Sequence, residues 1–291
     1  MQGQKVAHWI EKISSEQNPD DLLVGKKEYQ KLSGEIFQDD KSFESRMGAF
    51  LEWYAFDRKV PGSMKTPLMN FLENKRDQLA ESDQKFLESL TKSVHGIFFM
   101  TKVRDNHLRV KELFEDKDFR VNGSQKEVPF SKNDVFEGRL VPVDGNFYYT
   151  LNFCYHPPQT LKFIRRQVKA VREKEAKIFK QLKSQEKQLG KLEKQLASQT
   201  AKLDKVKRNL EAASTDVKRA KLSQERDVQQ DRVKEIENQV KEAASTLERF
   251  KDSEIETNLP QRRFQLMQTL SYMSLKWERS RQIDIFDIYR D

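Results

Sequence analysis

The densest chemistry in this chain is a run of cations. Lys162, Arg165, Arg166, Lys169, Arg172, Lys174, Lys177, Lys180 and Lys183 follow at close spacing, and the only acids among them are Glu173 and Glu175. Phosphate binding needs closely spaced Lys and Arg, so Lys162, Arg165, Arg166, Lys169, Arg172, Lys177, Lys180 and Lys183 are candidate contacts for nucleic acid or another polyanion. A helix that keeps charge outside an apolar seam for solubility accounts for the same run without a ligand.

Catalytic chemistry is sparse by comparison. His8, His95, His107 and His156 are scattered. No glycine-rich phosphate loop, serine elbow or helical His pair at metal spacing occurs. Cys154 and His156 are two apart and read as a buried thiol and a turn His before Pro157. Glu52, Asp57 and Arg58 fall in or just after one helix and read as an ion pair at its end. Phe147, Tyr148, Tyr149 and Phe153 read as cross-strand packing, with base stacking as the alternative. The expectation is therefore a protein that is not an enzyme, with no catalytic residues, no cofactor and no bound metal.

The elements that would position these groups fall into two halves. Thr66-Pro67 reads as an N-cap and first-turn proline. Apolar positions at helical spacing begin with Val6, Trp9, Ile10 and Ile13 and continue through 43–56 and 86–90, predicting a helical subdomain over 1–93. From Gly96 the period moves toward two. Candidate strands lie at 108–113, 119–121 and 135–141, with Phe147 to Tyr149 as a partner, and Asn122-Gly123 and Asp144-Gly145 are hairpin signals. A small antiparallel sheet or barrel over 94–158 is the prediction, closed off by Pro157 and Pro158.

Beyond 158 the composition changes, and no Phe occurs between Leu182 and Arg249. With Leu161 as heptad position a, eight of nine a positions and seven of nine d positions are apolar as far as Val217 and Ala220. Leu182, Leu189, Leu192, Leu196, Leu203, Val206 and Leu210 form the seam of a predicted coiled-coil arm over 159–252. A second seam, through Leu222, Val233, Ile236, Val240, Ala243, Leu247 and Phe250, is out of phase with the first by two residues. A turn near 213–216 removes the conflict and makes the arm an antiparallel helical hairpin, with a continuous paired rod as the competing geometry. After a break at 252–259, a last helix over about 260–281, within a segment 253–291, carries Phe264, Met267, Leu270, Met273 and Trp277 on one face. That face should pack on the arm or the globule. The fold class is thus α+β with a long coiled-coil arm.

The net charge of +8 is uneven: 159–210 carries 16 Lys or Arg against 5 Asp or Glu, whereas 211–252 carries 9 against 10. All the excess positive charge lies on the outgoing helix. With one cysteine and no membrane span, the expected compartment is the reducing cytoplasm.

Four segments carry a family likeness: 50–58 (FLEWYAFDR), Thr66-Pro67-Leu68 with Phe71-Leu72, Gly96-Ile97-Phe98-Phe99, and 134–142 (DVFEGRLVP). In this order, over about residues 46–157, they resemble an uncharacterised bacterial family, some of whose members carry a SEC-C zinc motif. The Cys-rich motif is absent here. The resemblance implies a bacterial source and a helical-plus-β globule, and transfers no activity. The expected function is non-enzymatic interaction or scaffolding, through a protein partner or self-association by the coiled coil. The alternative is nucleic-acid or ribosome binding through the basic helix 159–210.

Overall fold

The computed structural model describes residues 2–104, 107–122, 130–280 and 282–290. The chain is mixed α and β and divides into two compact units, residues 1–171 with 263–291, and residues 172–262.

The first unit opens with five helices, α1 (Gln2–Ser15), α2 (Pro19–Ser33), α3 (Phe43–Phe56), α4 (Pro67–Lys75) and α5 (Glu81–Leu90). Thr66 caps α4 as its sequence predicts, its hydroxyl accepting the Met69 N–H at 3.3 Å. α3 is apolar nearly all round because it serves two cores. Ala55, with Leu51 and Phe56, packs toward Trp9, Ile13, Leu68 and Leu87. Phe50, Trp53 and Tyr54 instead join Tyr29 and Ile36.

Six strands follow: β1 (Val94–Arg104), β2 (His107–Glu112), β3 (Lys117–Asn122), β4 (Val135–Val143), β5 (Asn146–Tyr149) and β6 (Cys154–His156). The order β1-β2-β3-β5-β4 returns to β1 and closes a five-stranded barrel, with β6 added along the start of β4. β1 closes it by pairing with β4 through Val94 to Phe99 and with β2 through Phe98 to Arg104. An irregularity between Met100 and Lys102 bends the strand from one neighbour toward the other. The barrel is not wholly antiparallel, since β3 and β5 run parallel at Val121 and Phe147. Phe98, Met100, Val110, Val121, Phe136 and Leu140 fill its interior. Asp144 (φ 49°) and Gly145 (φ 75°) make the β4–β5 turn with both central residues at positive φ, as the Asp-Gly pair predicts. The other hairpin signal ends at Gly123, outside the described residues.

β1 is the strand that the sequence pattern does not resolve. Gly96, Ile97 and Phe98 are consecutively buried, so no alternation marks it. Gly96 makes room there for Glu112 of β2, since a Cβ would stand 2.7 Å from its carboxylate oxygen and force that buried side chain to shift.

Helix α6 (Leu161–Glu211) begins in the first unit and runs into the second. α8 (Leu259–Arg279) and α9 (Ile285–Ile288) complete the chain. In the first unit Ile164 and Val168 of α6 pack with Met267 and Leu270 of α8 against Ile97, Leu113 and Val135, with Phe264 and Met273 beside them, whereas Trp277 of the expected apolar face stays exposed.

In the second unit α6 stops at Glu211 and α7 (Asp216–Phe250) starts after four intervening residues, in the region where the two seams change phase. The Arg219 Nε donates to the Ala213 carbonyl at 3.0 Å across the connection. Ile178, Leu203 and Val206 on α6, and Val233 and Leu247 on α7, are buried. The break expected at 252–259 is absent. Residues Lys251–Asn258 continue as a π-helical segment straight into α8, the wider turn falling just ahead of Pro260, whose nitrogen cannot donate the usual helical hydrogen bond. Position 281, the expected end of the last helix, is outside the described residues. No helix among the described residues is long and apolar enough to cross a membrane.

Candidate functional site

All eight candidate polyanion contacts, Lys162, Arg165, Arg166, Lys169, Arg172, Lys177, Lys180 and Lys183, have exposed side chains on α6. Two lean on aromatic faces of the first unit, Arg165 over Phe99 at 4.9 Å and Arg166 over Phe163 at 5.3 Å. The seam residues lie on the other side of the helix. Leu182, Leu189, Leu192, Leu196 and Leu210 are half-buried, and Leu203 and Val206 are buried. Gln185 and Gln199 sit among them at d positions with buried amide oxygens that find no hydrogen-bond partner among the described residues.

A second set of cations, absent from the sequence reading, lies on the barrel. Lys102 pairs with Arg109 across β1 and β2, and Arg109 pairs with Arg120 across β2 and β3. The three are abreast and exposed. The signal in the sequence is faint, because only strand register brings residues 102, 109 and 120 into one row.

The interior of the first unit holds the strongest electrostatics. Arg139 on β4 is 1 % exposed, and its guanidinium binds both oxygens of Asp57 just past α3, donates to Ser93 Oγ at 2.9 Å, and lies 3.5 Å from Glu52 on α3. His95 on β1 lies between Asp57, at 3.2 Å from Nδ1, and Glu137 on β4, at 3.0 Å from Nε2. Burial and the Arg139 charge disfavour its imidazolium, but the bonds to the two carboxylates win and raise His95 to about 9. Burial likewise works against the Asp57 carboxylate, and Arg139 and His95 outweigh it, holding Asp57 well below the ordinary range. Glu52 goes the other way, raised by burial although Arg139, Asn152 and Thr150 oppose it.

The expected ion pair among Glu52, Asp57 and Arg58 does not form. Glu52 accepts from Thr150 (3.1 Å) and Asn152 (2.6 Å), whereas Arg58 turns away to Asp21 (2.9 Å) and Glu28 (2.7 Å) on α2. Asp57 and Arg58 lie just past the end of α3 and diverge, so Arg58 is taken up by α2 while Asp57 and Glu52 share Arg139.

Glu52, His95, Glu137 and Arg46 line an enclosed space of about 20 Å³, enough for one water molecule. A larger cleft of about 400 Å³ adjoins it, lined by Ser42, Arg46, Leu151, Phe153, Cys154 and Glu278 among others. Cys154 is half-buried, and burial with the nearby Glu137 charge pushes its thiol up to about 11, so it is not a thiolate nucleophile near neutral pH. His156 is buried with Nδ1 3.2 Å from the Tyr289 hydroxyl, and burial pulls it down to about 4. No group of three potential metal ligands occurs among the described residues. Phe147, Tyr148, Tyr149 and Phe153 pack in or against the cores, Tyr149 lying edge-on to Phe98 and Phe136.

Residues 8–195 match the model of a family of unknown function, DUF7986. The chain belongs to this family. The matched stretch takes in the barrel, the buried charge cluster and the basic part of α6, and ends before α7. No curated protein and no solved structure matches the chain.

Proposed function

We propose that this is a non-enzymatic binding protein of a bacterial cytoplasm, in which residues 161–250 fold as an antiparallel coiled-coil hairpin that offers the basic outer face of α6 to nucleic acid. One observation carries the reading. Apolar positions of α6 and of α7 are buried in a single chain, while every candidate cation between Lys162 and Lys183 is exposed. With the seam closed on itself, the surface left for a partner is charged, and the partner it suits is a polyanion. The buried cluster favours a binding protein over an enzyme for a physical reason. Arg139, His95, Asp57 and Glu137 bind one another, and the space beside them holds no more than a water molecule.

A protein partner or self-association is the second reading. It is favoured by Val217 and Val228, which α7 leaves 85 % and 62 % exposed eleven residues apart, on one face of the helix.

The test is a titration of the full chain against a fluorescent single-stranded oligonucleotide at several salt concentrations. Lys169→Glu/Arg172→Glu/Lys177→Glu should weaken binding tenfold or more and flatten its salt dependence. Unchanged binding by the folded variant removes the reading.

A further inference from the structure

The barrel carries a cation row whose geometry is unfavourable for folding and favourable for a phosphodiester chain. Side chains alternate inward and outward along β2 and β3: Leu108, Val110, Phe119 and Val121 point into the core, and Arg109 and Arg120 point out. Arg109 and Arg120 are direct cross-strand partners, and Lys102 of β1 is the partner of Arg109 on the other side. One pleat further along the same face, Arg104 pairs with His107, which pairs with Asn122. Among the described residues, Lys102, Arg104, Arg109 and Arg120 form no ion pair. The acids nearby answer Lys111, with Asp118 opposite it in register and Asp116 3.1 Å from its ammonium. The field of the row reaches His107, whose protonation is disfavoured by burial and by Arg120, Arg104 and Arg109.

Like charges directly opposite on neighbouring strands destabilise a sheet. Three abreast, at about 4.8 Å per strand, make a positive track about 10 Å across, with Arg104 a further ~7 Å along the strand direction. We infer that this face of the barrel, through Lys102, Arg104, Arg109 and Arg120, is a second binding site for nucleic acid, holding the phosphate backbone of a single strand. The spacing suits consecutive phosphates of one flexible chain. Apart from the half-buried imidazole of His107 the two rows are cation and amide, with no Phe, Tyr or Trp on which a base could stack, so the face grips the backbone and does not select bases. The site lies wholly within the first unit and does not depend on the arm.

The same oligonucleotide titration decides this, run on the full chain with Arg109→Gln/Arg120→Gln beside the arm variant. Loss of two single-strand phosphate contacts should lower affinity at least tenfold at low salt and reduce the slope of log K against log salt by about 1.4. Because the substitution relieves a like-charge pair, the variant should melt no lower than the parent, so weaker binding cannot be ascribed to unfolding. If only the barrel variant loses affinity, this inference stands and the arm reading falls. If only the arm variant does, this inference is overturned. Loss in both supports both sites, and loss in neither removes both. A variant that releases anionic phosphatidylglycerol vesicles while keeping the oligonucleotide would also overturn it, by assigning the face to a lipid surface.

Discussion

His95 Nε2 stands 3.0 Å from a carboxylate oxygen of Glu137, a contact between adjacent strands of the barrel wall. It makes the stability of the first unit depend on pH. His95 has a raised folded-state value, about 9 against 6.5, so its contribution is complete below about 6.5 and is lost as pH rises through about 9. His156 has the opposite sign. Its value is depressed to about 4, so its contribution is complete above about 6.5 and is lost as pH falls toward 4. Unfolding followed by tryptophan fluorescence should be most resistant near pH 6.5, since Trp9, Trp53 and Trp277 all lie in the first unit. The alkaline limb, worth up to ~3 kcal/mol, should vanish in His95→Gln. A limb that survives in that variant assigns the effect elsewhere.

Arg139→Met should be among the most damaging single substitutions. The guanidinium is buried, and removing it leaves Asp57 and Glu52 facing each other without their cation. The expected loss is ~3–5 kcal/mol in urea unfolding monitored by tryptophan fluorescence. A loss below about 1 kcal/mol would mean that α3 and the barrel are held together by their apolar contacts alone.

Gln199→Leu should stabilise the arm. The buried amide oxygen of Gln199 has no hydrogen-bond partner among the described residues, and a leucine at that d position removes its desolvation cost of ~1–3 kcal/mol. Far-UV circular dichroism of the full chain should show the arm's helical signal melting at higher temperature, with the tryptophan transition unmoved.

The proposed hairpin predicts a proximity within one chain. Lys251 Nζ lies 3.1 Å from Glu186 Oε1, two residues far apart in sequence. In a Cys154→Ser background, Glu186→Cys/Lys251→Cys should be joined by a short bismaleimide into a cross-linked monomer at dilute protein. Cross-linked dimers would instead favour a rod paired between chains.

Much of the architecture is legible in the residues. The heptad seam makes 161–211 a long helix, because leucines every seven residues demand burial on one side. The two-residue phase slip calls for a turn near 213–216 even though no Gly or Pro marks it, and the helix is interrupted at 212–215. Thr66-Pro67 starts α4 and Asp144-Gly145 turns β4 into β5, because capping and positive φ are properties of individual residues. Interactions that depend on which strand lies beside which are not local, and the sequence is silent about them. The buried run at Gly96, Ile97 and Phe98 hides β1, the strand that closes the barrel. Glu52, Asp57 and Arg58 look like one ion pair along the chain, yet only packing sends them to Arg139, His95 and α2. Arg109 and Arg120 are ordinary surface residues until register sets them side by side. Periodicity and turn chemistry act over a few residues and can be read directly, whereas the meeting of distant charges is decided by the fold as a whole.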